Sequence, residues 1–324
     1  MSDFFERGKR LRTSSSLRLL TRETTLCKEN FILPIFLVEG SNIENPVPTM
    51  PGVYQHSIDK AIKYLESLIK QGLTSVLLFG IPPKKDSSGS YCTSTQSIIT
   101  VACAAIKKEF PSLLVITDIC MCEYTDHGHC GILKKDGQID NDATLEILAK
   151  QAVLHAQSGA DMLAPSAMAD GMVFAIRKAL DKANFEQHPI MSYSAKYASC
   201  FYGPFREAAQ STPSFGNRNA YQMSITNQKE ALKEIVWDDE EGADILMVKP
   251  ALPYLDIIAL AKKNCLKPIA AYQVSGEYAM IKMAAKNKIV DEERAMLETL
   301  TSIKRAGADI IISYFTPNLL KILK

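Results

Sequence analysis

The sequence predicts an α/β protein, a (β/α)8 TIM barrel, and three observations support that fold class. Eight short, β-rich apolar runs alternate with longer segments of helical periodicity. The runs lack in/out alternation of apolar and polar residues, which is typical of parallel strands covered on both faces. A Gly-Ala-Asp junction leads into a predicted strand three times, at Gly159, Gly242 and Gly307. Repetition of one helix-to-strand junction indicates repeated βα units.

The predicted strands follow one another at spacings that leave room for a helix between them. They cover residues 31–37, 75–80, 113–118, 161–166, 189–194, 244–249, 268–274 and 309–314. Amphipathic segments at 58–72, 142–159 and 292–307 each end in glycine, a common helix stop. Eight strands with helical crossovers favour a closed barrel. The alternative is a doubly wound open sheet, but no glycine-rich phosphate-binding fingerprint follows the first strand.

Residues 1–24 precede the first strand, and we predict two parts: an N-terminal arm (1–24) and a catalytic barrel domain (25–324). The arm is rich in arginine and lacks a clear apolar face. A segment that cannot bury itself favours packing on a neighbouring subunit. A disordered tail is the alternative reading.

Composition narrows the functional classes. With 324 residues, 47% apolar and 23% charged, the chain resembles an ordinary globular protein. A formal net charge of +1 gives no strong positive potential that would attract nucleic acid or an anionic membrane. No apolar run reaches the roughly 20 residues of a membrane span, and the N-terminus lacks a secretory signal. We therefore expect a cytoplasmic protein with mostly reduced cysteines, no nucleic-acid partner and no membrane partner.

Polar residues lie at the carboxyl ends of most predicted strands, where barrel enzymes place their active sites. They are Asp118, Ser166, Lys196, Lys249, Ser275 and Tyr314. Packing alone rarely produces such a pattern. A catalytic site at this end of the barrel is the prediction.

Two of these residues are lysines on neighbouring strands, roughly 5 Å apart. Lys249 ends its strand directly, whereas Lys196 is predicted two residues beyond its strand, in a loop. Two close amines repel as cations, which lowers the pKa of at least one. A neutral amine can attack a ketone, so the pair indicates Schiff-base chemistry. A single lysine of this kind could equally extend its amine to the surface.

Three of the eight cysteines, Cys120, Cys122 and Cys130, crowd into eleven residues. Three thiolates around one tetrahedral ion, with a fourth position open, form a catalytic zinc arrangement. A trio of reduced thiols or a redox pair is the alternative. His127 and His129 could supply a fourth ligand, but loop hydrogen bonding is the preferred interpretation.

The segment from Phe201 to Gln222 is rich in glycine, proline, serine and threonine and follows the fifth predicted strand. Long structureless loops at a barrel mouth are often lids. Arg206 and Arg218 within it would suit a substrate carboxylate. Solvated surface arginines are the equal alternative.

These residues together resemble the porphobilinogen synthase (5-aminolevulinate dehydratase) family. The motifs MLAPSAMADG, SYSAKYASCFYGPFR, RNAYQM, ADILMVKPALPYLD and YQVSGEYAM carry the resemblance, which spans nearly the whole chain. The resemblance implies a lyase that condenses two 5-aminolevulinate molecules to porphobilinogen, with loss of two waters, in heme biosynthesis. It implies that Lys249 holds the first substrate and Lys196 the second.

The resemblance also implies roles for the other candidates. Ser275 and Tyr314 would bind the first substrate's carboxylate, Arg206, Arg218 and Gln222 the second's, while Asp118 and Ser166 would line the amino-group pocket. Cys120, Cys122 and Cys130 would bind the Zn²⁺ of the zinc-dependent class, and Glu234 an allosteric Mg²⁺. A homo-octamer assembled through N-terminal arms is implied as well.

Two other functional classes remain at this stage. A class I aldolase would explain one lysine but neither the second nor the cysteine triad. A zinc-storing or scaffold protein with an inactive barrel would explain the triad alone.

Overall fold

The computed structural model describes residues 5–323, and its core is an eight-stranded parallel barrel. The strands are β1 (Phe31–Val38), β2 (Glu44–Pro46), β3 (Tyr54–His56), β4 (Ser75–Ile81), β5 (Leu114–Ile119), β6 (Met162–Pro165), β7 (Met191–Lys196), β8 (Ile245–Lys249), β9 (Ile269–Gln273) and β10 (Ile310–Ser313). Each of the eight predicted strands therefore exists, with ends displaced by at most two residues.

The barrel closes between β6 and β7. The parallel order is β6-β5-β4-β1-β10-β9-β8-β7, and Leu163 bridges to Ile190 across the remaining gap. The amide of Leu163 donates a hydrogen bond to the carbonyl of Pro189 at 3.1 Å. The closed barrel is confirmed, and the open doubly wound sheet was the wrong alternative.

Helices connect the barrel strands as the sequence period predicts, and further helices lie in the arm and in the segment after β7. They are α1 (Ser15–Leu20), α2 (Ile58–Ile69), α3 (Ile98–Glu109), α4 (Asn141–Gln157), α5 (Met172–Lys182), α6 (Gly203–Ala208), α7 (Lys229–Glu240), α8 (Leu255–Asn264), α9 (Ser275–Lys286), α10 (Glu292–Ala306) and α11 (Thr316–Ile322).

The Gly-Ala-Asp junctions have a physical explanation. Gly307 has φ +123°, a conformation that L side chains rarely adopt, and it ends α10. Two residues on, the carboxylate of Asp309 accepts a hydrogen bond from the amide of Ile269 at the start of β9, at 2.9 Å. Asp161 and Asp244 do the same for neighbouring strands. Each junction thus ends a helix and satisfies a strand-end amide that would otherwise lack a partner.

Two local features were not predicted. The antiparallel pair β2–β3 lies between β1 and α2, and β3 also pairs with the end of β1. In β7 the register against β8 shifts between Ser192 and Ala195, which marks a β-bulge. The bulge lies one residue before the first of the two lysines, so it affects where that side chain points.

The arm is described from residue 5, and residues 1–4 of the predicted arm lie outside the described residues. Ser14 caps α1 by accepting a hydrogen bond from the amide of Leu17 at 3.2 Å. None of residues 5–24 is buried, and Leu19 and Leu20 are 62% and 81% exposed. Within residues 5–323 no helix combines the length and apolarity needed to cross a membrane.

Candidate active site

The two lysines lie side by side on neighbouring parallel strands. Lys196 and Lys249 are paired residues of β7 and β8, and both are about 95% buried, with exposures of 4% and 5%. The prediction that Lys196 follows its strand in a loop was wrong. The strand β7 runs to Lys196, and the one residue that the β-bulge adds between Ser192 and Ala195 precedes the pairing of Lys196 with Lys249.

Aromatic rings surround the Lys249 amine. Its Nζ lies 4.4 Å from the ring centre of Tyr272, 4.9 Å from Tyr193, 5.1 Å from Phe205 and 5.3 Å from Tyr202. Such rings exclude water from the amine and offer a cation only weak compensation for its lost hydration.

Burial, and after it the nearby Lys196, lower the pKa of Lys249 to about 7, although Asp118, Cys122 and Glu123 oppose the shift. At a pKa of about 7, roughly half of the amine is neutral at neutral pH, against about 0.04% for an ordinary lysine. The amine at Lys249 is therefore ready to act as a nucleophile.

Asp118 and Ser166 lie beside the amines, as predicted. The hydroxyl of Ser166 donates to one carboxylate oxygen of Asp118 at 3.0 Å, and the amine of Lys196 donates to the Ser166 carbonyl. The other oxygen of Asp118 is buried without a partner. Burial, followed by the neighbouring Glu123, raises the pKa of Asp118 to about 8. A proton-bearing carboxyl thus lies within reach of both lysines.

The three predicted cysteines converge on one point next to this cavity. Their sulfurs lie within 4.8 Å of one another, and those of Cys120 and Cys122 are 3.4 Å apart. On a tetrahedral zinc with bonds of about 2.3 Å, sulfurs stand roughly 3.8 Å apart. All three side chains are buried. The donor set fits zinc with little rearrangement.

The two histidines of the cysteine loop make hydrogen bonds, as the preferred interpretation expects. His127 accepts from the amide of His129 at 3.1 Å. His129 contacts the hydroxyl of Tyr221 at 3.1 Å and the carbonyl of Phe215 at 3.2 Å. These contacts join the cysteine loop to the lid segment.

The lid segment covers the barrel mouth, but the prediction that it lacks regular structure was only half right. Its first part forms a 3₁₀ turn at Cys200–Tyr202 and the short helix α6. The guanidinium of Arg218 is buried and donates to the carbonyls of Gly128 (2.8 Å) and Ser211 (2.7 Å). A Cβ on Gly128 would meet the carbonyl oxygen of Thr212 at 2.5 Å, so lid and cysteine loop are in close contact there.

One cavity contains both amines together with Asp118, Ser166 and Arg218. The other four predicted binding residues lie outside its lining: Arg206, Gln222, Ser275 and Tyr314. Ser275 accepts a hydrogen bond from the amide of Phe205 at 2.9 Å and so fixes α6. The hydroxyl of Tyr314 contacts that of Tyr272 at 3.1 Å. Ser275 and Tyr314 therefore contact Phe205 and Tyr272, whose rings surround the Lys249 amine, and do not line the cavity themselves.

Arg206 and Gln222 carry unused hydrogen-bonding groups. Arg206 is half-buried, and its Nε has no partner. Burial and the neighbouring Arg218 cation lower the pKa of Arg206. Gln222 is buried, with both amide atoms unpaired. Both therefore carry hydrogen-bonding capacity that no protein group uses.

Comparison with known proteins agrees with this geometry. Residues 5–322 match the family "Delta-aminolevulinic acid dehydratase". The chain belongs to the delta-aminolevulinic acid dehydratase family. It is 53% identical over 321 residues to the family member of Helicobacter pylori, covering 99% of both chains, and 52% identical over 314 residues to that of Bacillus subtilis, covering 97% of both.

A solved family structure is similar over nearly its whole length. It is the delta-aminolevulinic acid dehydratase (porphobilinogen synthase) of Toxoplasma gondii in complex with the reaction product porphobilinogen. The TM-score is 0.96 at 37% identity, with 98% of this chain and 92% of that chain covered. The family fold is therefore preserved over nearly the whole chain.

The residue suggested for magnesium lies elsewhere. Glu234, on α7, is half-buried, and burial followed by Asp238 raises its pKa to about 7. Among residues 5–323, two trios of donors are close enough for one ion, the cysteine triad and Asp118–Cys120–Glu123. Glu234 belongs to neither.

Sequence reasoning missed several residues of the site. Tyr193 and Tyr272 lie inside apolar strands and look like core residues, although their rings flank Lys249. Glu123 is only 3% exposed and lines the cavity. It lies in the sequence between two predicted metal ligands, Cys122 and Cys130. A charged residue inside the predicted cysteine cluster was the signal that could have found it.

Proposed function

We propose that the chain condenses two 5-aminolevulinate molecules to porphobilinogen, with loss of two waters, while Lys249 and Lys196 hold them as Schiff bases. This is a lyase reaction of heme biosynthesis, and it fits the name of the family, delta-aminolevulinic acid dehydratase. One observation carries the proposal: two buried amines lie on paired positions of adjacent strands, and one has a pKa of about 7.

Lys249 begins the chemistry because its amine is partly neutral. The nitrogen lone pair attacks the ketone carbon of the first substrate, and a carbon–nitrogen bond forms. The carbonyl oxygen leaves as water after taking up protons, which gives an imine. Asp118, with a pKa of about 8, holds a proton near the reacting atoms and can deliver it.

Lys196 holds the second substrate by the same reaction. Two covalently held substrates on neighbouring strands convert an encounter in solution into a reaction within one complex, which can lower the barrier by several kcal/mol. The hydrogen bond from its amine to the Ser166 carbonyl fixes the starting position of that amine.

Cations and hydroxyls at the mouth would bind the carboxylates. Arg218 lines the cavity and Arg206 stands behind it with a free Nε, which supports binding of the second carboxylate there. Gln222 has two unused amide atoms and would add to that site. Ser275 and Tyr314 would bind the first carboxylate once α6 moves away from Ser275.

Cys120, Cys122 and Cys130 would hold Zn²⁺, and the spacing of their sulfurs supports this. When bound, zinc supplies a Lewis acid that polarises a coordinated group and lowers the pKa of bound water. The raised pKa of Glu234 is compatible with a cation site on α7, and we keep Mg²⁺ there as a proposal.

Assembly through the arm is also part of the proposal. Phe5, Leu11, Leu19 and Leu20 are more than half exposed in a single chain. Burial of four such side chains against a neighbouring subunit would be favourable, which supports assembly through the arms. The homo-octamer is the assembly that the family resemblance implies.

The experiment is incubation of the purified protein with 5-aminolevulinate, followed by a colorimetric assay for pyrrole. Wild-type protein should produce porphobilinogen, and Lys249→Met and Lys196→Met should each reduce the rate by several orders of magnitude. Lys286→Met, which changes an exposed lysine on α9, serves as the matched control and should keep full activity. Full activity in either active-site variant would refute the proposal.

A further inference from the structure

The β-bulge of β7 decides which face of that strand carries Lys196. Between Ser192 and Ala195, β7 contains one residue more than β8 does opposite it. In a regular strand, residues two apart share a face and residues three apart lie on opposite faces. Tyr193 and Lys196 are three apart, yet the Lys196 amine lies 5.4 Å from the centre of the Tyr193 ring, which also flanks the Lys249 amine. The extra residue therefore turns Lys196 to the inside of the barrel.

The serines of β7 show where Lys196 would point without the bulge. Ser192 and Ser194 lie four and two residues before Lys196, so a regular strand would place all three on one face. That face is the outer one: the hydroxyl of Ser192 donates to a carboxylate oxygen of Asp238 at 2.6 Å, and Asp238 belongs to α7, which packs on β7. Ser194 and Asp238 line a cavity that contains neither lysine. A regular β7 would thus direct Lys196 toward α7 and away from the substrates.

Asp238 contacts the bulge from the side of α7. It is 8% exposed, and burial raises its pKa to about 6, although hydrogen bonding by the hydroxyls of Ser192 and Ser194 opposes that shift. Most of the group is therefore ionised at neutral pH. A buried carboxylate is costly unless hydrogen-bond donors compensate for its lost hydration. The two serines supply such donors, and they do so at the point where the register of β7 shifts.

We propose that Asp238 is a positioning residue of the reaction: through the hydroxyls of Ser192 and Ser194 it fixes the β-bulge and so keeps the amine of Lys196 in the cavity of Lys249. Lys249 does not depend on this contact, because β8 keeps a regular register against β9. Loss of Asp238 should therefore affect one lysine and spare the other. The inference rests on the proposed function, in which Lys196 holds the second substrate.

The test traps 5-aminolevulinate on the intact protein with borohydride and measures the adduct on each lysine separately by peptide mapping. Wild type is compared with Asp238→Ala, which accepts no hydrogen bond, and with Asp238→Asn, whose amide oxygen still accepts one. Glu240→Gln, which changes an exposed carboxylate on the same helix, is the matched control.

We expect Asp238→Ala to lower the ratio of Lys196 adduct to Lys249 adduct about tenfold, as the loss of a hydrogen bond to a charged group implies. Asp238→Asn should lower the ratio less, and Glu240→Gln should match the wild type. A purely structural role of Asp238 would lower both adducts together or neither of them.

An unchanged adduct ratio in Asp238→Ala would overturn the inference, whether both adducts persist or both fall. A wild type that gives no adduct on Lys196 would instead remove the second Schiff base of the proposed function, and this inference with it. If Asp238→Ala does not fold, Ser192→Ala, which removes a donor from the bulge and leaves α7 intact, must show the same selective loss on Lys196.

Discussion

Lys249→Met should stabilise the protein, because the native fold holds this amine at a pKa of about 7 instead of about 10.5. Between pH 7 and pH 10.5, the unfolded chain carries a proton on this amine that the native protein lacks. The free energy of unfolding of the wild type therefore rises with pH across that window. The free-energy cost of burying the Lys249 amine is complete below pH 7 and vanishes above pH 10.5. It amounts to roughly 4 kcal/mol at pH 7 and about 2 kcal/mol at pH 9.

Methionine has nearly the same length and suits the surrounding rings of Tyr193 and Tyr272. The assay is urea unfolding of wild type and Lys249→Met at fixed protein concentration, at pH 7 and at pH 9. The variant should be more stable at both values, with the larger gain at pH 7. Lys286→Met is the control and should remain within about 0.5 kcal/mol of wild type. A destabilised variant, or a gain independent of pH, would refute the reasoning.

Three further predictions concern the lid, the metal and the arm. Gly128→Ala should displace the lid at Thr212 and raise the KM for 5-aminolevulinate several-fold with unchanged zinc content. Gly216→Ala is the control, because Gly216 has a similar φ but open space where a Cβ would lie. Equal effects of the two substitutions on KM would contradict the prediction for the lid. A chelator should abolish activity and added zinc should restore it; full activity in protein shown by metal analysis to be metal-free would argue against the zinc class. Deletion of residues 1–12 should reduce assembly, and an unchanged sedimentation profile would disprove the role of the arm.

The sequence was sufficient to predict the barrel because buried parallel strands have a strong signature. Apolar runs, helical periods and the Gly-Ala-Asp junctions all indicated the same fold, and strand ends moved by two residues at most. The position of Lys196 was mistaken because β7 ends two residues beyond the predicted strand. The β-bulge within β7 adds one residue that the apolar pattern does not reveal.

The site was predictable where chemistry is concentrated in the sequence. Two lysines at strand ends and three cysteines within eleven residues stand out by residue type. Tyr193 and Tyr272 could not be recognised in this way, since a buried tyrosine beside an amine and one in an ordinary core occur in the same apolar context. The position of Ser275 behind α6 depends on long-range packing, which no local pattern encodes.

Reduction of the protein with borohydride in the presence of labelled 5-aminolevulinate, followed by peptide mapping, tests the paired-lysine mechanism most directly. We predict stable adducts on the peptides that contain Lys249 and Lys196, and on no other lysine. A turnover-competent preparation that gives no adduct, or gives it on a different lysine, would contradict the account.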